Sequence, residues 1–215
     1  MVPLDTVAML DTVATRPIGP WANGMLMTPD EFDATTEWNP EYRYELVQGV
    51  LVVSPPADIG ERGPNDLLGY LLWDYSFHHA RGSELSGTVS EETVTTRTSR
   101  RRMDRAIWVG LGRTPRAGDV PAIAVEFVSD SSRDRRRDYD HKRREYREIG
   151  IREYWVIDRF QRRMTVYRGD DIVVVAEQDV FRTDLLPGFE LPLGRLLKLA
   201  DEWQSGATEG LPPAS

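Results

Sequence analysis

The run Val120–Val128 constrains the chain more than any other segment, because it is apolar at every position except Pro121 and Glu126. A strand apolar on both faces belongs in the middle of a sheet that is covered on both sides. Side chains alternate along a strand, so Val125 and Phe127 point one way and Glu126 the other, beside the small or medium Ala122, Ala124 and Val128. An acid in such a place needs a partner. Asp104 begins the preceding apolar run, Asp104–Gly110, and falls near Glu126 if the two strands pair. Two carboxylates in a dry site repel unless a proton or cation lies between them. A hard divalent ion such as Mg²⁺, taking one or two carboxylates plus water, is one solution. An ion pair from Glu126 to one of the many arginines is the other.

Around this strand the pattern alternates between sheet and helix. Thr28–Phe32 reads as a capped helix start with proline at the first helical position. Tyr44–Pro56 holds two β-rich runs about Gln48-Gly49, a hairpin. Asp66–His79 repeats Leu67, Leu68, Leu71, Leu72 and Tyr75 at helical spacing, and a second helix is predicted from about Asp134 to Ile149, stopped by Gly150. Glu153–Asp158 is a strand, and Met164–Gly169 with Asp171–Ala176 a hairpin. The fold class is therefore mixed α/β. Residues 1–27 read as a loose arm, 28–203 as one domain and 204–215 as a flexible tail.

Composition removes several chemistries. Across 215 residues there is no cysteine, which excludes a thiol nucleophile, a disulfide framework and a thiolate metal site. No G-x-S-x-G elbow, phosphate-cradling glycine loop or complete dinucleotide turn occurs. His78 and His79 are adjacent and diverge on a helix, so they read as surface or structural groups. Val7–Leu10 is too short for a signal segment or a membrane span, and the chain reads as cytoplasmic. The net charge is −8, yet residues 97–152 carry 16 Lys and Arg against 9 Asp and Glu, or +7, leaving −15 for the remainder. That asymmetry suggests a polyanionic ligand, although such runs also simply solvate a helix.

On the helix after the Glu126 strand, Asp138, Lys142 and Tyr146 recur at four-residue intervals and share a stripe. Lys142 is either placed beside the carboxylates or paired with Asp138 at the surface. The ordered set Tyr44-Glu45-Leu46-Val47-x-Gly49, Val53-Ser54-Pro55-Pro56, Asp104, Val125-Glu126-x-Val128-Ser129, Asp138-x-x-x-Lys142, Tyr146, Gly150-Ile151 and Glu153–Asp158 resembles the Uma-type restriction endonuclease family of the PD-(D/E)XK nuclease superfamily. The resemblance runs from Thr28 to about Leu197. It implies a restriction-endonuclease-like core, a mixed β-sheet flanked by helices, that uses acids to hold Mg²⁺, with Mn²⁺ a possible substitute. Carried over by position, Glu45, Asp104 and Glu126 form the acidic, metal-holding cluster and Lys142 takes the lysine role. Three positions depart from the pattern: Val128 stands where E-x-K has lysine, Met103 replaces the proline before the aspartate, and a histidine usual after the Pro-Pro stop is missing from 61–66.

The function implied is Mg²⁺-dependent hydrolysis of DNA phosphodiester bonds. Arg101, Arg102, Arg136, Arg137 and Arg143 are the expected phosphate contacts, with DNA as partner, no membrane and a possible homodimer. A catalytically silent nuclease fold that binds nucleic acid or protein, and a hydrolase of another phosphate ester, are the alternatives.

Overall fold

The computed structural model describes residues 16–129 and 135–209, with side chains at 16–129 and 139–204. Thr28 caps α1 (Pro29–Ala34) through a reciprocal bond with Glu31, as serine or threonine followed by glutamate three residues on does. The hairpin β1 (Arg43–Val47) and β2 (Val50–Ser54) turns at Gln48 and Gly49, whose φ values are 50° and 81°, the left-handed pair that a two-residue loop requires. Next come α2 (Ile59–His78), β3 (Leu85–Thr95), β4 (Arg100–Val109) and β5 (Ile123–Phe127). After α3 (Arg135–Glu148) follow β6 (Glu153–Asp158), β7 (Arg163–Arg168) and β8 (Asp171–Ala176). A two-residue pair, β9 (Val180–Phe181) and β10 (Leu191–Pro192), leads into α4 (Leu193–Glu209).

Eight strands form one mixed sheet in the order β2-β1-β4-β5-β6-β7-β8, with β3 on the other edge of β4. Only β5 and β6 run parallel, and α3 is the crossover that such a pair needs. On one face, Leu68 and Leu72 of α2 and Leu193, Leu196 and Leu197 of α4 bury Ile123, Val125, Phe127 and Trp155. On the other, Tyr146 of α3 and Ile151 cover Met103, Ala106, Ala124 and Val128. The predicted alternation along β5 is therefore present, with Glu126 on the α3 face.

Four features differ from expectation. The strand β3 was not foreseen, because its mixture of polar and β-branched residues lacks an apolar face, as an edge strand can. Helix α2 starts seven residues before Asp66, at Ile59, with Asp58 Oδ1 accepting from the Glu61 amide at 2.9 Å. Gly60, Gly63 and Pro64 read as breakers, yet the glycines leave room for the Arg159 guanidinium and the Trp203 ring. Within the expected loose arm, residues 16–27 are tied to β2: the Gly24 amide donates to Leu51 O, and that of Met27 to Gly49 O. Of the expected tail, 204–209 continue α4. No described helix is long and apolar enough to cross a membrane.

Candidate active site

Strand β4 changes partner halfway along its free edge: its later part pairs with β5 from Arg105↔Val125 to Ile107↔Ile123, and its start pairs with β1 at Leu46↔Arg100. Asp104 and Glu126 are the next residues outward from the Arg105↔Val125 pair, so they stand at the fork. Backbone amides freed by the fork must find acceptors. Carboxylates supply them: the Phe127 amide donates to Asp104 Oδ2 at 2.7 Å, and the Arg102 amide to Glu45 Oε1 at 2.9 Å. Glu45 of β1 and Asp104 of β4 are thereby held beside Glu126 of β5 where the sheet opens.

Lys142 closes this arrangement from α3. Its ammonium donates to Glu126 Oε1 at 2.8 Å and to Arg102 O at 3.0 Å, and lies 3.6 Å from Glu45 Oε1. The Tyr146 hydroxyl donates to the same Glu126 oxygen at 3.1 Å. Lys142 and Tyr146 thus face inward from α3, and the surface reading does not hold for Lys142, which is buried; the Asp138 side chain lies outside the described residues. Burial pushes the Glu126 carboxyl up to about 8, against the pull of Lys142 and with the push of Asp104 and Glu45. Burial also raises Asp104, opposed by the Phe127 amide and Lys142. The two acids are therefore short of positive charge despite the lysine.

Each acid keeps one oxygen open. Asp104 Oδ1 and Glu126 Oε2 accept no hydrogen bond from any described residue, and the nearest arginine nitrogen to Asp104 Oδ1 is Arg43 Nη1 at 3.9 Å. Both acids line a cleft of about 610 Å³ with Glu45, Arg43, Arg102 and Lys142. Among the described residues no three acidic or histidine side chains converge as a ready-made metal cage. Two open, proton-hungry carboxylate oxygens beside a solvent cleft nonetheless fit Mg²⁺, which takes one or two carboxylates and keeps several waters.

The three consecutive arginines of β4 have different fates. Arg100 is held by Asp33 of α1. Arg101, expected to touch phosphate, has no exposed surface: its Nε lies 2.7 Å from Glu145 Oε2 and its Nη1 3.8 Å from Glu45 Oε1. That expectation is corrected, since a guanidinium enclosed by two acids cannot reach a surface phosphate. Arg101 instead steadies Glu45, and Ser99 Oγ donates to Glu145 Oε1 at 2.5 Å behind it. Only Arg102 lines the cleft with side-chain exposure, 30%. Arg143 lies over the Tyr167 ring at 4.7 Å and donates to Gly169 O. The side chains of Arg136 and Arg137 lie outside the described residues.

Two cleft residues escaped the sequence reading. Glu61, in the first turn of α2, is buried and pushed up to about 7 by burial and by the nearby Asp58 and Asp104 charges. Arg43 opens β1 and faces Asp104. Neither sits in an apolar pattern, so only the fold brings them to the cleft. Asn65 braces the fork from α2: its Nδ2 donates to Asp104 O at 2.8 Å, and its Oδ1 accepts from Arg105 Nε at 2.7 Å.

The family described as "Uma2: Putative restriction endonuclease" matches residues 29–194. The fold is similar to the crystal structure of "a putative nuclease belonging to DUF820" from Anabaena variabilis, with a TM-score of 0.67 at 14% identity, covering 81% of this chain and 99% of that one. No curated protein matches the chain.

Proposed function

The chain belongs to the Uma2 family, and from that premise we propose that it is a divalent-metal-dependent endonuclease hydrolysing DNA phosphodiester bonds. The observation that carries this reading is the half-open pair at the fork: Asp104 and Glu126, each with one oxygen held by the protein and one turned to the cleft, with Lys142 bonded to the second acid. Asp104 Oδ1 and Glu126 Oε2 would hold Mg²⁺ or Mn²⁺. When bound, such an ion polarises a phosphoryl oxygen and lowers the pKa of a bound water. Glu45, fixed by the Arg102 amide, completes the acidic wall and shares Lys142 with Glu126. Lys142 orients the attacking water and steadies charge that develops on phosphate.

The choice of side chain at 142 supports a chemical role. The chain contains 25 arginines and two lysines, Lys142 and Lys198. A compact ammonium reaches three clustered acceptors, Glu126 Oε1, Arg102 O and Glu45 Oε1, where a planar guanidinium does not. The missing E-x-K lysine at Val128 is thus replaced in space: Val128 is buried in the core and Lys142 delivers its ammonium to Glu126 from the helix.

Arg102 at the cleft, with Arg136, Arg137 and Arg143 along α3, supplies the phosphate contacts, which position DNA and carry little sequence information. Cutting both strands calls for two such sites, which a homodimer provides. Cytoplasmic DNA is the substrate this reading implies. The test is incubation of supercoiled plasmid and single-stranded DNA with Mg²⁺, Mn²⁺ or EDTA, comparing wild type with Asp104→Ala, Glu126→Ala and Lys142→Ala. Metal-dependent nicking lost in all three variants is expected. Wild type inert with every metal and strand form, yet binding DNA, would overturn hydrolysis in favour of a silent binding module.

A further inference from the structure

Glu91 occupies an unusual place in the sheet. It lies in β3 between the pairs Ser90↔Arg105 and Glu92↔Met103, which sets it opposite Asp104. Its φ of 60° makes it the one described non-glycine residue with a left-handed backbone inside a strand, since Gln48 and Arg162 share that conformation only in turns. Glutamate gains nothing from such a backbone. In this conformation its carboxylate is ion-paired with two arginines, Arg43 and Arg102.

These arginines come from different strands and line the cleft that holds Asp104, Glu126 and Glu45. Arg43 Nη1 lies 3.9 Å from Asp104 Oδ1, so the anion they share sits next to the open carboxylate oxygens. Nε of both arginines is buried with no hydrogen-bond partner among the described residues. Glu91 therefore satisfies the pair incompletely. It does not itself line the cleft, and at 32% side-chain exposure its carboxylate is open to solvent.

We propose that Arg43 and Arg102 form a phosphate subsite on the rim of the cleft, and that Glu91 fills it in the free protein as an internal counter-anion displaced by a phosphodiester of the nucleic acid. A phosphodiester carries the single negative charge of the carboxylate and offers two oxygens to guanidinium forks. The exchange leaves the charge of the cleft unchanged while freeing Glu91 to solvent. The inference deepens the nuclease reading and rests on it for the identity of the ligand, but not on bond cleavage.

Binding of a fluorescein-labelled DNA oligonucleotide, followed by polarisation in EDTA at fixed salt, separates the two. Glu91→Gln should tighten binding by about three- to tenfold, and Glu91→Asn, which tolerates the backbone better, should do the same. Glu84→Gln, removing an acid paired with Arg81 elsewhere, should change binding by less than about twofold. Arg43→Ala/Arg102→Ala should weaken binding, and adding Glu91→Gln to that background should then have no effect. Equal tightening by Glu91→Gln with and without the two arginines, or no tightening in either Glu91 variant, overturns the subsite, as does failure of every folded variant to bind DNA. If the wild type nicks plasmid while the Glu91 variants bind as it does, only the subsite falls. If the cycle behaves as expected and nothing is cut, the subsite stands and hydrolysis falls.

Discussion

Lys142 Nζ stands 2.8 Å from Glu126 Oε1, so a helix following β5 returns an ammonium to the acid in the middle of that strand. Both groups are buried. Breaking a buried pair strands the remaining charge, whereas removing both members is far milder. Lys142→Met is expected to cost about 3 kcal/mol, less wherever Glu126 takes up a proton. Glu126→Gln combined with Lys142→Met should cost well under the sum of the single changes. Urea melts of the four proteins at pH 8 measure the coupling. Lys142→Arg should neither restore that stability nor nick plasmid, because a guanidinium is wider and flatter than the site.

Arg101 and Glu145 give a second buried pair, one layer behind the first, and Arg101 also faces Glu45. Arg101→Met is expected to destabilise by about 3–5 kcal/mol, and Arg101→Met/Glu145→Met by much less. Chemical denaturation checks both. A small loss in the single variant would contradict the role given to Arg101 as the support of Glu45.

How much of this was legible in the sequence depends on how local each signal is. Glu126 declared itself because one acid in an apolar strand breaks a period of two. Strand pairing points to Asp104, whereas helical spacing leaves Lys142 between the carboxylates and a surface pair with Asp138, and only the family resemblance gives it the lysine role. Arg101 was misplaced because a run of three arginines carries charge but no exposure: the fold sends Arg100 to Asp33, Arg101 to Glu145 and Arg102 to the cleft. Glu61 and Arg43 are silent because each reaches the cleft through long-range packing, and Glu91 because its arginine partners come from other strands. For Glu61 the signal was present but inverted, since the glycines and Pro64 that let α2 begin early look like loop residues.

Glu61 gives the clearest pH signature. Its carboxyl is raised from 4.5 to about 7, first by burial and then by Asp58 and Asp104. A raised acid favours the folded state's proton, so its contribution is fully present below about pH 4.5 and is lost as pH climbs through 7. Glu61→Gln removes that titration. The variant should gain on wild type between pH 4.5 and 7, by on the order of 2 kcal/mol, and hold a constant advantage above. Unfolding free energies at pH 4.5, 6, 7 and 8 show it; an advantage independent of pH would contradict the assignment.

Salt dependence tests the arginine assignments. The logarithm of DNA affinity should fall linearly with the logarithm of salt concentration, and Arg102→Ala should reduce the slope by about 1. Arg100→Ala should leave the slope unchanged, since Arg100 is committed to Asp33. Equal slopes for wild type and Arg102→Ala would remove Arg102 from the phosphate contacts.

In the proposed site, Asp104 and Glu126 would hold a divalent cation through the oxygens they leave open. Burial raises Glu126 to about 8, so a cation must displace its proton when it binds near neutral pH. Calorimetric titration of Mg²⁺ into the protein at pH 7.5, in two buffers of different ionisation enthalpy, reads binding and proton release together. Saturable binding with protons released is expected, lost in Asp104→Asn and in Glu126→Gln. Absence of saturable binding, or binding that survives unchanged in both variants, would contradict it.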